Sequence, residues 1–443
     1  MAQAPLKIAI INKSDRTGGA AIVSFRLMEA FRGEGHDARM LVTEKLTDSP
    51  FVSLAAPRWR ILYSFLIERL QIFFANGFNR KTLFKVDTAS FGLPLHKHPL
   101  VREADAVLIN WINQGMLSLK GLRRLLRLGK PVIITMHDMW WMTGICHHAG
   151  KCENYLGKCG ECPLLGKLKS RHDLSTKIWK RKKSLLDWEI LRVNGNLGIV
   201  AVSSWLKEKS LASGLLKNNP VDVIHNPFEI TLPTYEGTIL DSSHSKIKIL
   251  FGAARLDDPI KGLDTLKKAT RILADVHPGL ASKIELVLFG NVKKASSLHG
   301  SGIPTRHIGE VRGEKALHDS YRQGQIVVSA SSYETLPGTL VEAQAYGLVP
   351  VSFNQGGQGD IISHLDTGYL AEYSDNEDIN ARNLAQGIVW AAGVVEDNYV
   401  FEQMKKRMRE NVLEKFSYKK IASSYLTLIK QLSSYSPSSP FSL

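Results

Sequence analysis

At 443 residues with 44% apolar content, the chain can build the cores of two or three domains, and no uninterrupted apolar span reaches bilayer length, which excludes a membrane-crossing helix. The net charge of +15 lies in one half: residues 1–228 hold 34 Lys and Arg against 18 Asp and Glu, leaving 23 against 24 for the remainder. The first half is thus expected to meet something anionic, and the second need not.

Met1 to Pro5 leads straight into Lys7-Ile8-Ala9-Ile10-Ile11 without the charged, apolar, small-residue order of a secretory signal, so a cytoplasmic protein is expected. That strand runs into a turn holding Gly18 and Gly19, after which Val23, Leu27 and Phe31 recur at four-residue spacing. Strand, glycine turn and amphipathic helix open a doubly wound α/β domain. The paired glycines let backbone approach a ligand closely, although they lack the Gly-x-Gly-x-x-Gly spacing of a dinucleotide site.

Residues 59–74 interleave arginines with large apolar groups, and a second basic run occupies 167–183. Nucleic acid and an anionic membrane surface are the candidate partners. The aromatic content favours the membrane, against the plain alternative of a buried helix with a solvated basic edge.

Further strands are expected at 106–109, 132–135 and 198–202, with a helix at 117–128. The second of these strands delivers His137 and Asp138 to a carboxyl edge, where open α/β sheets bind ligands. Such a pair can orient a substrate hydroxyl or help move its proton; a structural histidine is the alternative. All four cysteines follow, as Cys146-x5-Cys152-x6-Cys159-x2-Cys162, within an insertion at 144–166. Four thiolates on one structural zinc would give this loop the core that its sequence does not supply. Two disulfides are the oxidising alternative, and only the Cys159-x2-Cys162 half has knuckle spacing.

After Phe228 the composition shifts. Residues 229–245 read as a linker, and Ile247-Lys248-Ile249-Leu250-Phe251-Gly252 starts a second α/β domain. It places Arg255 and Lys261 at the mouth of the second sheet. Strands at 284–289 and 325–329 continue that sheet, and Glu334 lies in the loop beyond the latter. Thr339 is expected to open a helix that Gly347 closes.

The first amides of such a helix, around Leu340 and Val341, form a seat for phosphate, with Glu334 and Glu342 beside whatever the phosphate carries. A sugar nucleotide offers phosphate and hydroxyls together. The alternative is a capping box in which Glu342 reaches back to Thr339. Arg255 and Lys261 could neutralise a diphosphate without a metal, and the chain has no Asp-x-Asp pair to hold one. A helix near 405–414, another to 432 and a Ser/Pro-rich tail at 433–443, expected to be disordered, complete the chain.

With Gly18-Gly19, His137-Asp138, Arg255, Lys261, Glu334 and Glu342 in this order, the chain resembles the retaining glycosyltransferases of family four, which have the two-domain GT-B fold. The strongest parts are Arg255-Leu256 through Lys261-Gly262-Leu263 and Glu334 to Pro350. The stretch from Thr135 to Gly144 with the four cysteines looks like the branch that builds bacterial exopolysaccharide, colanic-acid-type polymer and O-antigen. Asn110-Trp111-Ile112-Asn113 also resembles it, with Asn110 standing where His often precedes the Trp.

The resemblance implies two Rossmann-like α/β domains facing across a cleft. They would be an acceptor-binding domain at 1–228 and a nucleotide-sugar domain at 246–414, with a final helix at 415–432 crossing back to the first. It implies that Arg255 and Lys261 hold the donor diphosphate, Glu342 the ribose and Glu334 the donor sugar. Gly18 and Gly19 would approach the sugar and phosphate, His137 would sit beside the reacting sugar, and Asp138, Asn110 and Trp111 would lie on the acceptor side. The implied acceptor is a saccharide on a polyprenyl diphosphate at the inner face of the cytoplasmic membrane. Catalysis would need no metal or cofactor, and no nucleic acid is expected as partner. A non-catalytic sugar-nucleotide or polyanion-binding protein of the same fold is the alternative of another class.

Overall fold

The computed structural model describes residues 4–191, 195–230, 246–311 and 313–434. The chain divides into two units, one ending at Pro227 and resuming at Tyr418, the other running from Phe228 to Ser417. Most of the expected linker and all but the first two residues of the expected tail lie outside the described residues. Those two, Ser433 and Ser434, continue the helix Tyr418–Ser434.

The first unit is built on a seven-stranded sheet of β1 (Lys7–Ile11), β2 (Asp37–Val42), β3 (Val52–Leu54), β4 (Ala106–Ile109), β5 (Val132–Met136), β6 (Leu197–Ala201) and β7 (Asp222–Val223), in the order β3-β2-β1-β4-β5-β6-β7. Every neighbouring pair is parallel. The central strands read as unbroken apolar runs because helices cover both faces, and Val107, Leu108, Ile133 and Val200 are fully buried. The helix Tyr418–Ser434 belongs to this unit. Its Tyr425 packs edge-on to Phe31 at 6.2 Å and shares a 2.9 Å hydrogen bond with Thr135.

The second unit carries β8 (Ile247–Arg255), β9 (Ile284–Asn291), β10 (Thr305–His307), β11 (Ile326–Ser329), β12 (Val349–Phe353) and β13 (Tyr369–Ala371), parallel throughout in the order β10-β9-β8-β11-β12-β13. Its core joins Ile249, Leu288, Val328 and Val351 to Leu266, Leu384 and Ile388 from the flanking helices. In each sheet the strand order reverses beside the first strand, between β1 and β4 and between β8 and β11. Loops leaving the carboxyl ends of those strands diverge there and leave a crevice for a ligand.

Candidate functional site

In the first unit, the loops at the switch point are tied together by backbone and side chain. Asn12, just past β1, accepts from the amide of Trp111 at 2.9 Å, and Trp111 O accepts from the Lys13 amide at 2.9 Å. Gly18, at φ +93°, caps the helix Gly19–Gly33, and a Cβ built on either glycine would meet no atom within 4 Å. Open backbone therefore faces outward at this helix start.

The four acceptor-side and catalytic candidates of this unit are brought together. His137 Nε2 lies 2.8 Å from Asn110 Oδ1, and Trp111 Nε1 donates to Asp138 Oδ2 at 3.1 Å. Burial holds His137 down at about 4 against the pull of Asp138, so the ring is neutral near pH 7. For Asp138, burial acts upward, but the His147 ring and the Trp140 amide outweigh it and bring the carboxyl to about 2.

Sequence reasoning missed the groups that hold Asp138. His147 Nδ1 sits 2.7 Å from Asp138 Oδ2 and its Nε2 2.7 Å from Asp87 Oδ2, while its ring stacks on Trp111 at 5.4 Å. Burial opposes its charge, yet the two carboxylates raise it to about 10. Asp87 also receives Arg69 and the Gln114 amide. His147 falls inside the cysteine insertion, and Asp87 lies where neither periodicity nor motif marks it.

The cysteine loop departs from expectation in having a core. Ile145, Tyr155 and Leu165 are buried, and the loop is pinned to the helix Leu174–Leu191: Thr176 donates to Cys159 O at 2.9 Å, and the Cys162 amide to Asp173 at 2.8 Å. All four cysteines are free thiols lining one cavity of about 20 Å³. Burial pushes the Cys159 and Cys162 thiols up to about 11 and about 12. Among the described residues no group of three or more His, Cys, Asp or Glu is placed to hold a metal ion. The donor set suits zinc in kind, but the sulfurs are not drawn into a ligand shell.

In the second unit, β8 ends at Arg255, which pairs with Asp257 at 3.3 Å and Asp258 at 3.6 Å and is 45% exposed. Lys261 reaches Glu334 at 2.5 Å, and Ser331 donates to the same carboxylate oxygen at 3.2 Å. Glu334 is anchored through its backbone as well. Its carbonyl receives the Gly357 amide at 3.0 Å, and a Cβ on Gly356, at φ +124°, would lie 2.0 Å from that carbonyl oxygen.

The helix that follows spans Gly338–Ala345 with Pro337 as N-cap and no side-chain cap, so it starts one residue before Thr339, without a capping box. Glu342 instead accepts from Tyr321 at 3.1 Å. The Leu340 amide is taken by Pro337 O at 3.1 Å, and the side chains of Leu340 and Val341 are buried. Of the pair inferred from sequence the Leu340 amide is thus engaged, and the first turn also offers a phosphate the amides of Gly338 and Thr339.

Residues 241–385 match the family of glycosyl transferases group 1, so the second unit carries a glycosyltransferase group 1 domain. N-acetyl-alpha-D-glucosaminyl L-malate synthase of Bacillus anthracis is 31% identical over 103 residues, 23% of this chain and 25% of that protein. The amylovoran biosynthesis glycosyltransferase AmsD of Erwinia amylovora is 35% identical over 68 residues, 15% and 19% of the respective chains. The chain thus spans a quarter or less of the length of these curated relatives. Among solved structures, Anabaena Alr3699/HepE in complex with UDP and glucose superposes with a TM-score of 0.56 at 15% identity, over 96% of this chain and 100% of that one. The fold is that of GT-B glycosyltransferase structures.

Proposed function

We propose that the protein is a retaining glycosyltransferase that moves a sugar from a nucleoside-diphosphate sugar to a saccharide acceptor in bacterial surface polysaccharide synthesis. The observation that carries this reading is the Lys261–Glu334 pair at the switch point of the group 1 domain, with Glu342 held by Tyr321 rather than spent on a helix cap. The HepE complex with UDP and glucose and the amylovoran relative support the donor class and the pathway.

In this mechanism Arg255, Lys261 and the amides of Gly338 and Thr339 receive the donor diphosphate, and Glu342 the ribose. The bond between the anomeric carbon and the phosphate oxygen breaks, and charge builds on the departing diphosphate. These cationic groups and amides stabilise that charge without a metal ion. Glu334 orients the donor sugar, with Lys261 and Ser331 fixing its carboxylate. The acceptor hydroxyl bonds to the same face of the anomeric carbon, and its proton passes to the departing phosphate oxygen. A covalent route through Glu334 is the rival step.

The first unit takes the acceptor, proposed to be a saccharide on a polyprenyl diphosphate at the inner face of the cytoplasmic membrane. With its single proton on Nε2 facing Asn110 Oδ1, neutral His137 can accept from a sugar hydroxyl through Nδ1, and ionised Asp138 likewise accepts from one. For the four cysteines a structural zinc is proposed as the state that would draw the sulfurs inward and displace their protons.

The direct test is transfer from a labelled nucleotide sugar to an extracted lipid-linked acceptor pool, with the anomeric configuration of the product read by NMR. Retention by the wild type, together with loss of product in Glu334→Gln, is the expected result. Product of inverted configuration would overturn the mechanism, and wild-type donor binding without any transfer would favour a binding protein.

A further inference from the structure

The helix Arg58–Ala75 is amphipathic the wrong way round for a protein in water. Its inward stripe, at four-residue spacing, is Ser64, Glu68 and Ile72 with the capping residue Asn76, all buried. The opposite stripe is Leu62, Leu66, Leu70 and Phe74, continued by Phe78 and accompanied by Trp59 and Tyr63, and every member is exposed; Trp59 stands at 65%, Tyr63 at 64% and Phe74 at 60%. A helix packed for water buries its apolar stripe and solvates its polar one.

The inversion is fixed by polar contacts. Ser64 donates to Gly115 O at 2.7 Å, and Glu68 accepts from the Ala89 amide at 2.7 Å and the Thr88 amide at 3.1 Å. Arg69 donates to Leu83 O at 2.7 Å and pairs with Asp87. Rolling the helix to hide its leucines would strip these buried groups of their partners, a cost borne by each group separately. The apolar stripe is thus held outward by the fold.

Charge indicates what covers it. Between residues 56 and 86 the exposed charges are Arg58, Arg60, Arg80, Lys81 and Lys85; Glu68, the acid in that span, is fully buried. A rim of cations around an aromatic and aliphatic stripe complements an anionic lipid surface, with side chains entering the acyl boundary and arginines and lysines meeting headgroups. No helix among the described residues is long and apolar enough to cross a membrane, so contact through this face is peripheral.

We propose that the outer face of the helix Arg58–Ala75, with Phe78 and the adjoining basic residues, docks the first unit on the surface of an anionic bilayer. The inference stands apart from the transfer chemistry, because a chain that bound no donor would still dock.

The test is flotation of the full-length protein with phosphatidylcholine vesicles, with and without phosphatidylglycerol, beside light scattering without lipid. The wild type is expected to float with the anionic vesicles and to release as salt rises. Leu66→Glu combined with Leu70→Glu is expected to cut the bound fraction at least about tenfold while leaving the melting transition in place, since both side chains are exposed. Charge reversal at Arg80, Lys81 and Lys85 should abolish the preference for phosphatidylglycerol. Failure of the wild type to float, or undiminished flotation of the double variant, would overturn the proposal. So would a lipid-free dimer that dissociates in that variant, which would give the face to a second copy of the chain.

Discussion

At the scale of single residues, each pocket depends on a carboxylate held by neighbours rather than by its own rotamer. Glu334 receives both Lys261 and Ser331, so Glu334→Gln should keep nucleotide binding and lower transfer by about 10²-fold or more, measured as kcat with saturating donor. Arg255 is half-exposed and engaged by the nearby Asp257 and Asp258. Its Arg255→Ala change is expected to weaken nucleoside diphosphate binding by about tenfold or more, read by titration calorimetry. His137 titrates at about 4 in the fold, below the usual histidine value near 6.5. The unfolded chain therefore binds the extra proton first, and the stability this ring contributes is complete above pH 6.5 and lost as pH falls through 4. His137→Gln should flatten that part of the acid limb in denaturant titrations, whereas an unchanged slope would contradict the burial argument.

At the scale of elements, the loop from β11 to the Gly338–Ala345 helix positions Glu334, and Gly356 is what lets the chain pass beneath it. Gly356→Ala combines positive φ with a contact of 2.0 Å to the Glu334 carbonyl. It should cost about 1–3 kcal/mol of stability in the second unit and displace Glu334, seen as a lower denaturation midpoint with parallel loss of transfer. The element level also separates what sequence could tell from what it could not. Strands β1, β4, β5, β6, β8, β9 and β11 were legible because strands buried on both faces leave long apolar runs, while β2 and β12 were not read as strands. Short strands such as β3, β7, β10 and β13 hold two or three residues each, too few to show a period, and were missed. Glu334 and Glu342 were singled out through their motif, while Asp87, His147 and Tyr321 make contacts 60, 9 and 21 positions distant in sequence. No local pattern encodes such pairings. The reversed polarity of the Arg58–Ala75 helix was likewise hidden, since periodicity shows that a helix has two faces but not which one the fold covers.

At the scale of the whole molecule, the uneven charge has a physical reading: the positive excess falls in the half that carries the exposed apolar helix and the proposed acceptor site. The cysteine loop belongs to this half as well. Protein purified without chelator is expected to contain about one zinc per chain, with Cys159→Ser lowering that content and the melting temperature together; a content far below one would leave the loop to its packing on the Leu174–Leu191 helix. The central claim, however, concerns the second unit, where the glycosyltransferase group 1 domain places cations, carboxylates and helix amides around one switch point. The most direct measurement is calorimetric titration of the full chain with uridine, guanosine and adenosine diphosphates in chelator-containing buffer. The account predicts one-to-one binding that favours one base, needs no metal and is weakened by Arg255→Ala. Binding of none of the three, or binding indifferent to Arg255, would contradict it.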